Sequence, residues 1–87
     1  MSVYMVERDL PGITMDQLAS AQRAAIKTSN RFTAEGIPVR YVRSSYVPGE
    51  HRVMCLFEAE SAESVERVNR AAGIPFARVI EAMDLSP

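Results

Sequence analysis

Between Val39 and Ala59 two segments rich in β-branched, aromatic and sulfur-bearing side chains are separated only by Pro48-Gly49-Glu50-His51. The first reads Val-Arg-Tyr-Val-Arg-Ser-Ser-Tyr-Val and the second Arg-Val-Met-Cys-Leu-Phe-Glu-Ala. Such side chains favour a pleated surface, and so short a spacer leaves room only for a tight reversal. Proline presets φ and glycine accepts positive φ, so the chain is expected to turn at Pro48-Gly49. A β-hairpin here fixes the middle of a small antiparallel sheet, and everything else has to be arranged about it.

Upstream, Ser2 to Arg8 reads as a strand ended by Pro11-Gly12, with Val3 and Met5 on one side and Tyr4 and Val6 on the other. Thr14 and Gln17 have the spacing of a capping box, and Asp16 suits the positive end of a helix dipole. Leu18, Ala21, Ala25, Ser29 and Phe32 then recur at helical steps, giving a face of small and apolar side chains that can lie close to a sheet. Gly36 is the expected left-handed terminator, with Pro38 blocking continuation. Downstream, Ser61 caps a second helix whose inner stripe is Val65, Val68 and Ala72, closed by Gly73 before Ile74-Pro75. Arg78 to Leu85 reads as the last strand.

The order β-α-β-β-α-β predicts an α+β, ferredoxin-like domain: a four-stranded antiparallel sheet with both helices on one face. At 87 residues the chain makes a single domain spanning 1–87. The other face of the sheet has no cover of its own, yet alternation gives it apolar side chains. If Val53, Cys55 and Phe57 meet the helices, Met54 and Leu56 do not; Tyr41 and Tyr46, and likewise Val39 and Val42, are expected to point opposite ways. Burying about 400 Å² of such surface is worth on the order of 10 kcal/mol before the cost of association. A second copy of the same sheet is the economical cover, so a homodimer through the sheet is expected, of the dimeric α/β-barrel type.

Composition excludes several classes. With 47 % apolar residues the chain is not disordered, and a net charge of −1 without a basic patch provides no drive for nucleic acid binding. The single cysteine, Cys55, cannot close an internal disulfide. No apolar run approaches the ~20 residues of a membrane span, and Glu7, Arg8 and Asp9 stand where a leader would be apolar. No membrane contact and a cytoplasmic location are the expectation.

Chemistry-bearing residues are few. His51, beside the turn, reads as solvated; Cys55, mid-strand between Met54 and Leu56, reads as a small hydrophobe. Glu7 is in phase with Val3 and Met5, so it either pairs with Arg43 or Arg78 or lines a pocket as an acid or base. Ser44 and Ser45 are unusual in mid-strand and leave room beside a helix rich in alanine. A cavity is expected there, with Tyr4, Glu7, Ser45, Tyr46 and Cys55 as candidate ligand-binding residues, and with Asn69 and Glu81 as further candidates for the lining.

Tyr4-Met5-Val6-Glu7-Arg8, Ser45-Tyr46-Val47, Cys55-Leu56-Phe57-Glu58-Ala59 and Ala72-Gly73-Ile74-Pro75 occur in an order that resembles a small bacterial family labelled nickel-binding protein, a domain of unknown function. The resemblance covers nearly the whole chain. It implies a ferredoxin-like fold, dimerisation of the α/β-barrel type, intracellular residence and no established enzymatic activity. Nickel-associated members resemble Trp-x-His-Ser-Tyr-Val in the second strand and Glu-His-Ala in the second helix. Aligned on Ser45-Tyr46-Val47 and on Gly73, those histidine positions are Ser44 and Val68, neither a good nickel ligand. The reading is therefore a small homodimeric ligand-binding protein with no cofactor and no tight nickel site. A cofactor-independent monooxygenase or isomerase is the alternative, with Glu7 or Tyr46 moving a proton; nickel or other metal binding is a further one.

Overall fold

The computed structural model describes residues 1–87. Four strands, β1 (Ser2–Asp9), β2 (Val39–Val47), β3 (Arg52–Ala59) and β4 (Arg78–Ala82), alternate with two helices, α1 (Met15–Ala34) and α2 (Ala62–Ala71). The sheet order is β2-β3-β1-β4 with every neighbouring pair antiparallel, which is the ferredoxin-like fold. No helix is long and apolar enough to cross a membrane.

Local chemistry sets the helix ends. The Thr14 hydroxyl accepts from Gln17 N at 3.1 Å while the Gln17 amide oxygen accepts from Thr14 N at 2.9 Å, a complete capping box. The Ser61 hydroxyl accepts from Ser64 N at 3.2 Å to start α2. Gly36 and Gly73, with φ of 92° and 73°, carry the chain out of each helix.

Both helices cover one face, α1 over β2 and α2 over β3 and β4. The core between the layers holds Val6, Val53, Phe57, Val65 and Val68, all essentially inaccessible. Alternation brings Tyr4, Val6 and Arg8 of β1 to this side, with Val53, Cys55, Phe57 and Ala59 of β3. Three polar side chains share the interior: Arg8, Ser29 and Asn69.

Three expectations are corrected. The hairpin turns through a 3₁₀ segment, Pro48–Glu50, and the positive φ belongs to His51 at 57° rather than to Gly49. Tyr41 and Tyr46 do not point opposite ways. A bulge between Tyr41 and Arg43 leaves Val42 without an opposite number on β3, so Tyr41 faces Phe57, Ser44 faces Cys55 and Tyr46 faces Val53, all on the helix side. The last strand ends at Ala82 rather than Leu85, because Ala82 pairs with Val3 and β1 begins only one residue before it. The chain then bends back, and Asp84 makes an ion pair with Arg43 of β2 across the intervening strands.

The uncovered face carries Val3, Met5, Met54, Leu56 and Ile80, each partly exposed. It is not apolar throughout. Glu7–Arg78, Arg40–Glu58 and Arg43–Asp84 ion pairs lie on or over it.

Candidate functional site

Three small side chains stand between α1 and the sheet: Ala21 and Ala25 on the helix and Ser44 on β2. They leave a cavity of about 150 Å³. Leu18 and Gln22 complete the helical wall, Tyr41 and Tyr46 the β2 wall, and Val53 and Cys55 the floor on β3. Arg8, Leu10 and Ile74 close one end. The Val42 bulge is what makes this possible, since it turns Tyr41, Ser44 and Tyr46 together towards α1.

A directional hydrogen-bond chain enters from solvent. Gln22 Nε2 donates to Tyr41 Oη at 2.9 Å, Tyr41 Oη and Ser44 Oγ are 2.6 Å apart, and Ser44 Oγ donates to Cys55 Sγ at 3.0 Å. With the serine proton committed to sulfur, the tyrosine hydroxyl donates to Ser44 and accepts from Gln22. Gln22 is exposed and Cys55 buried, so the chain marks a path from the surface to the cavity floor. The Tyr41 ring is fixed edge-on to Phe57, centroids 5.5 Å apart.

At the other end Arg8 is only 4 % exposed. Its Nη2 donates to Asn69 Oδ1 at 2.8 Å and its Nη1 to the Pro75 carbonyl at 3.3 Å. Asn69 is itself fully buried, and its Nδ2 donates to the Val65 carbonyl at 2.8 Å, which presents the amide oxygen to the arginine. The acceptors are neutral.

The candidates named from sequence divide. Tyr46 and Cys55 line the cavity. Tyr4 is buried on the same side but further along β1, opposite Phe57 and Glu81, and does not line it. Glu7 and Ser45 lie on the uncovered face, and the structure does not bring them to the cavity. Glu7 accepts from Arg78 Nε at 3.0 Å and Nη2 at 2.9 Å. Those hydrogen bonds hold its carboxyl below the ordinary carboxylate value. Asn69 meets the site through Arg8, while Glu81 is exposed. Arg8 and Gln22 were missed. Arg8 had a signal, since the alternation that sets Glu7 with Val3 and Met5 sets Arg8 with Tyr4 and Val6.

Residues 4–82 match the family described as nickel responsive protein, SCO4226-like. The chain belongs to this family. The crystal structure of SCO4226 from Streptomyces coelicolor A3(2) is similar, with 27 % identity, a TM-score of 0.82, and coverage of 98 % of this chain and 100 % of that one. No curated protein matches. The SCO4226-like description raises nickel, and the donors here do not fit it. No three His, Cys, Asp or Glu side chains converge anywhere in the molecule. Ser44 offers a hydroxyl that already donates to Cys55, Val68 is a buried aliphatic, and His51 is exposed at the hairpin turn.

Proposed function

We propose that this SCO4226-like chain is a small homodimeric protein that binds a small organic ligand in the cavity beneath α1, without tight nickel binding and without catalysis of its own. The observation that carries the ligand reading is the cavity itself: about 150 Å³, walled mainly by apolar side chains and supplied with a few convergent polar groups. Pairing through the uncovered sheet face is supported by Val3, Met5, Met54, Leu56 and Ile80, which no helix covers. The ion pairs around them are of the kind found at the polar margin of an interface. The enzymatic alternative asks Glu7 or Tyr46 to move a proton in the cavity; the pairing of Glu7 with Arg78 on the other face speaks against Glu7 in that role and leaves Tyr46 as its one candidate there.

The test uses untagged protein. Ligand-observed NMR with a panel of small aromatic and aliphatic compounds should find binders that are lost in Ala25→Phe, which fills the cavity. Light scattering should give twice the chain mass of 9.6 kDa. Elemental analysis should give nickel well below one equivalent. Failure of the whole panel to bind refutes the ligand reading, a mass near that of one chain refutes the dimer, and stoichiometric nickel restores metal binding.

A further inference from the structure

Five ion pairs form in this molecule, and their cations are Arg40, Arg43, Arg52, Arg70 and Arg78. All of these are on the surface. The one arginine in the interior, Arg8, is absent from that set, although taking a charged guanidinium out of water without a counter-charge is costly. Its position is deliberate in the physical sense. Asn69 is held by Val65, the Pro75 carbonyl is held by the turn after α2, and both aim neutral oxygens at it. These contacts fix the geometry of the fork but leave its charge uncompensated, and Arg8 forms part of the cavity wall.

We infer that the cavity takes a monocarboxylate with a compact apolar body, its carboxylate received by Arg8. The inference rests on the ligand-binding reading above and names the class of ligand. A planar carboxylate matches a guanidinium fork and neutralises it, the strong form of such a hydrogen bond. A body of hydrocarbon matches Leu10, Leu18, Ala21, Ala25, Val53 and Ile74. The size is bounded too: a cavity of about 150 Å³ lined by apolar side chains is one that a benzene ring fills. Phosphate monoesters fit less well, because a dianion would face one cation and a largely apolar wall. The Gln22–Tyr41–Ser44–Cys55 chain, which runs from the surface to the cavity floor, offers a hydroxyl or carbonyl substituent a partner, without being needed for the acid.

The experiment compares benzoate, benzyl alcohol and inorganic phosphate against the full-length protein by calorimetry and chemical-shift mapping at pH 7. Benzoate is expected to bind at least about tenfold more tightly than benzyl alcohol, the ratio that one charge-assisted contact supports. Phosphate is expected not to compete. In Arg8→Met the ratio should fall to about one, while the neutral ring still shifts resonances of Ala21, Ala25 and Val53. If benzyl alcohol binds as well as benzoate to the wild-type chain, the cavity stands and the carboxylate assignment is overturned. If neither ring compound binds, the ligand reading itself fails and takes this inference with it. Should Arg8→Met not fold, the wild-type ratio decides alone, and Ala25→Phe, which leaves Arg8 in place, must abolish benzoate binding. Unchanged benzoate affinity in Arg8→Met refutes the assignment.

Discussion

Ser29 offers a direct measure of what an unpaired hydroxyl costs in this interior. It sits on the inward face of α1 at 1 % exposure, and its Oγ has no hydrogen-bond partner. A buried polar atom in that state costs about 1–3 kcal/mol relative to a paired or absent one. Alanine is also the better helix former by about 0.5 kcal/mol. Against this stands only the loss of one oxygen's packing contacts, a few tenths of a kcal/mol. Ser29→Ala should therefore stabilise the protein by about 1–2 kcal/mol. At ~4–8 °C per kcal/mol for a domain of this size, the melting temperature rises by roughly 4–16 °C. Urea unfolding followed by circular dichroism should move its midpoint by about 1 M, for a slope near 1–1.5 kcal/mol/M. Protein concentration must be held fixed, since dimerisation would make stability depend on it. Ala25→Ser supplies the mirror image one turn away, at a site 2 % exposed, and should lose a similar amount. An unchanged or lowered midpoint in Ser29→Ala means the hydroxyl is satisfied after all, and the accounting of this core is wrong.

Other expectations follow from the same geometry. Leu56→Glu puts a charge at the centre of the uncovered face and should convert a dimer to a species near 9.6 kDa by light scattering while circular dichroism stays native. An unaltered dimer mass would place the interface elsewhere. The carboxyl of Glu7 is depressed below its ordinary value of 4.5 by hydrogen bonds from Arg78, and that of Glu58 likewise by Arg40. A depressed carboxylate contributes stability that is present above the unfolded pKa and lost as pH falls through the folded one. Glu7→Gln should accordingly flatten part of the loss of stability below about pH 4.5, and Glu7→Gln with Glu58→Gln more of it, read from melting temperatures between pH 7 and pH 3. His51 holds φ at 57°, so His51→Gly relieves about 1–2 kcal/mol of backbone strain against ~0.5–1 kcal/mol of added chain entropy. A net gain of roughly 0.5 kcal/mol should appear in the urea midpoint, whereas His51→Val should lose stability.

The element order was legible because each boundary has its own chemistry. Thr14 with Gln17, Ser61, Gly36 and Gly73 act locally, and a single sequence displays local effects in full. The site was legible only in part. Alternation puts Tyr46 and Cys55 in the pocket, where they are, but it also points to Tyr4, which lies further along β1, and to Glu7 and Ser45, which belong to the opposite face. For Ser45 the cause is the bulge at Val42, where no glycine or proline announces the extra residue and strict alternation miscounts everything beyond it. For Glu7 the alternation was sound and the inference from it was not, because the in-phase neighbours Val3 and Met5 line the uncovered face. The final strand is overextended in the sequence reading since Met83 and Leu85 look like strand residues, while beyond Ala82 only Ser2 of β1 is left to pair and nothing in β1 stands opposite Leu85. Partner availability is a property of the sheet rather than of the segment.

The unmatched valine in β2 has a consequence for how this domain can diversify. Upstream of it the odd-numbered side chains look toward the helices, and downstream the even-numbered ones do. Deleting that one residue would restore an unbroken ladder without turning either flank: Tyr41 would still oppose Phe57, Arg43 Leu56 and Ser44 Cys55, so Tyr41, Ser44 and Tyr46 would stay inward. What would be lost is the local bend and added twist that the extra residue gives the strand at the cavity wall. A deletion elsewhere in the strand would instead shift the alternation on one side of it and exchange pocket and surface side chains. The bulge is therefore the one place where this strand can change length while keeping the same side chains in its interior.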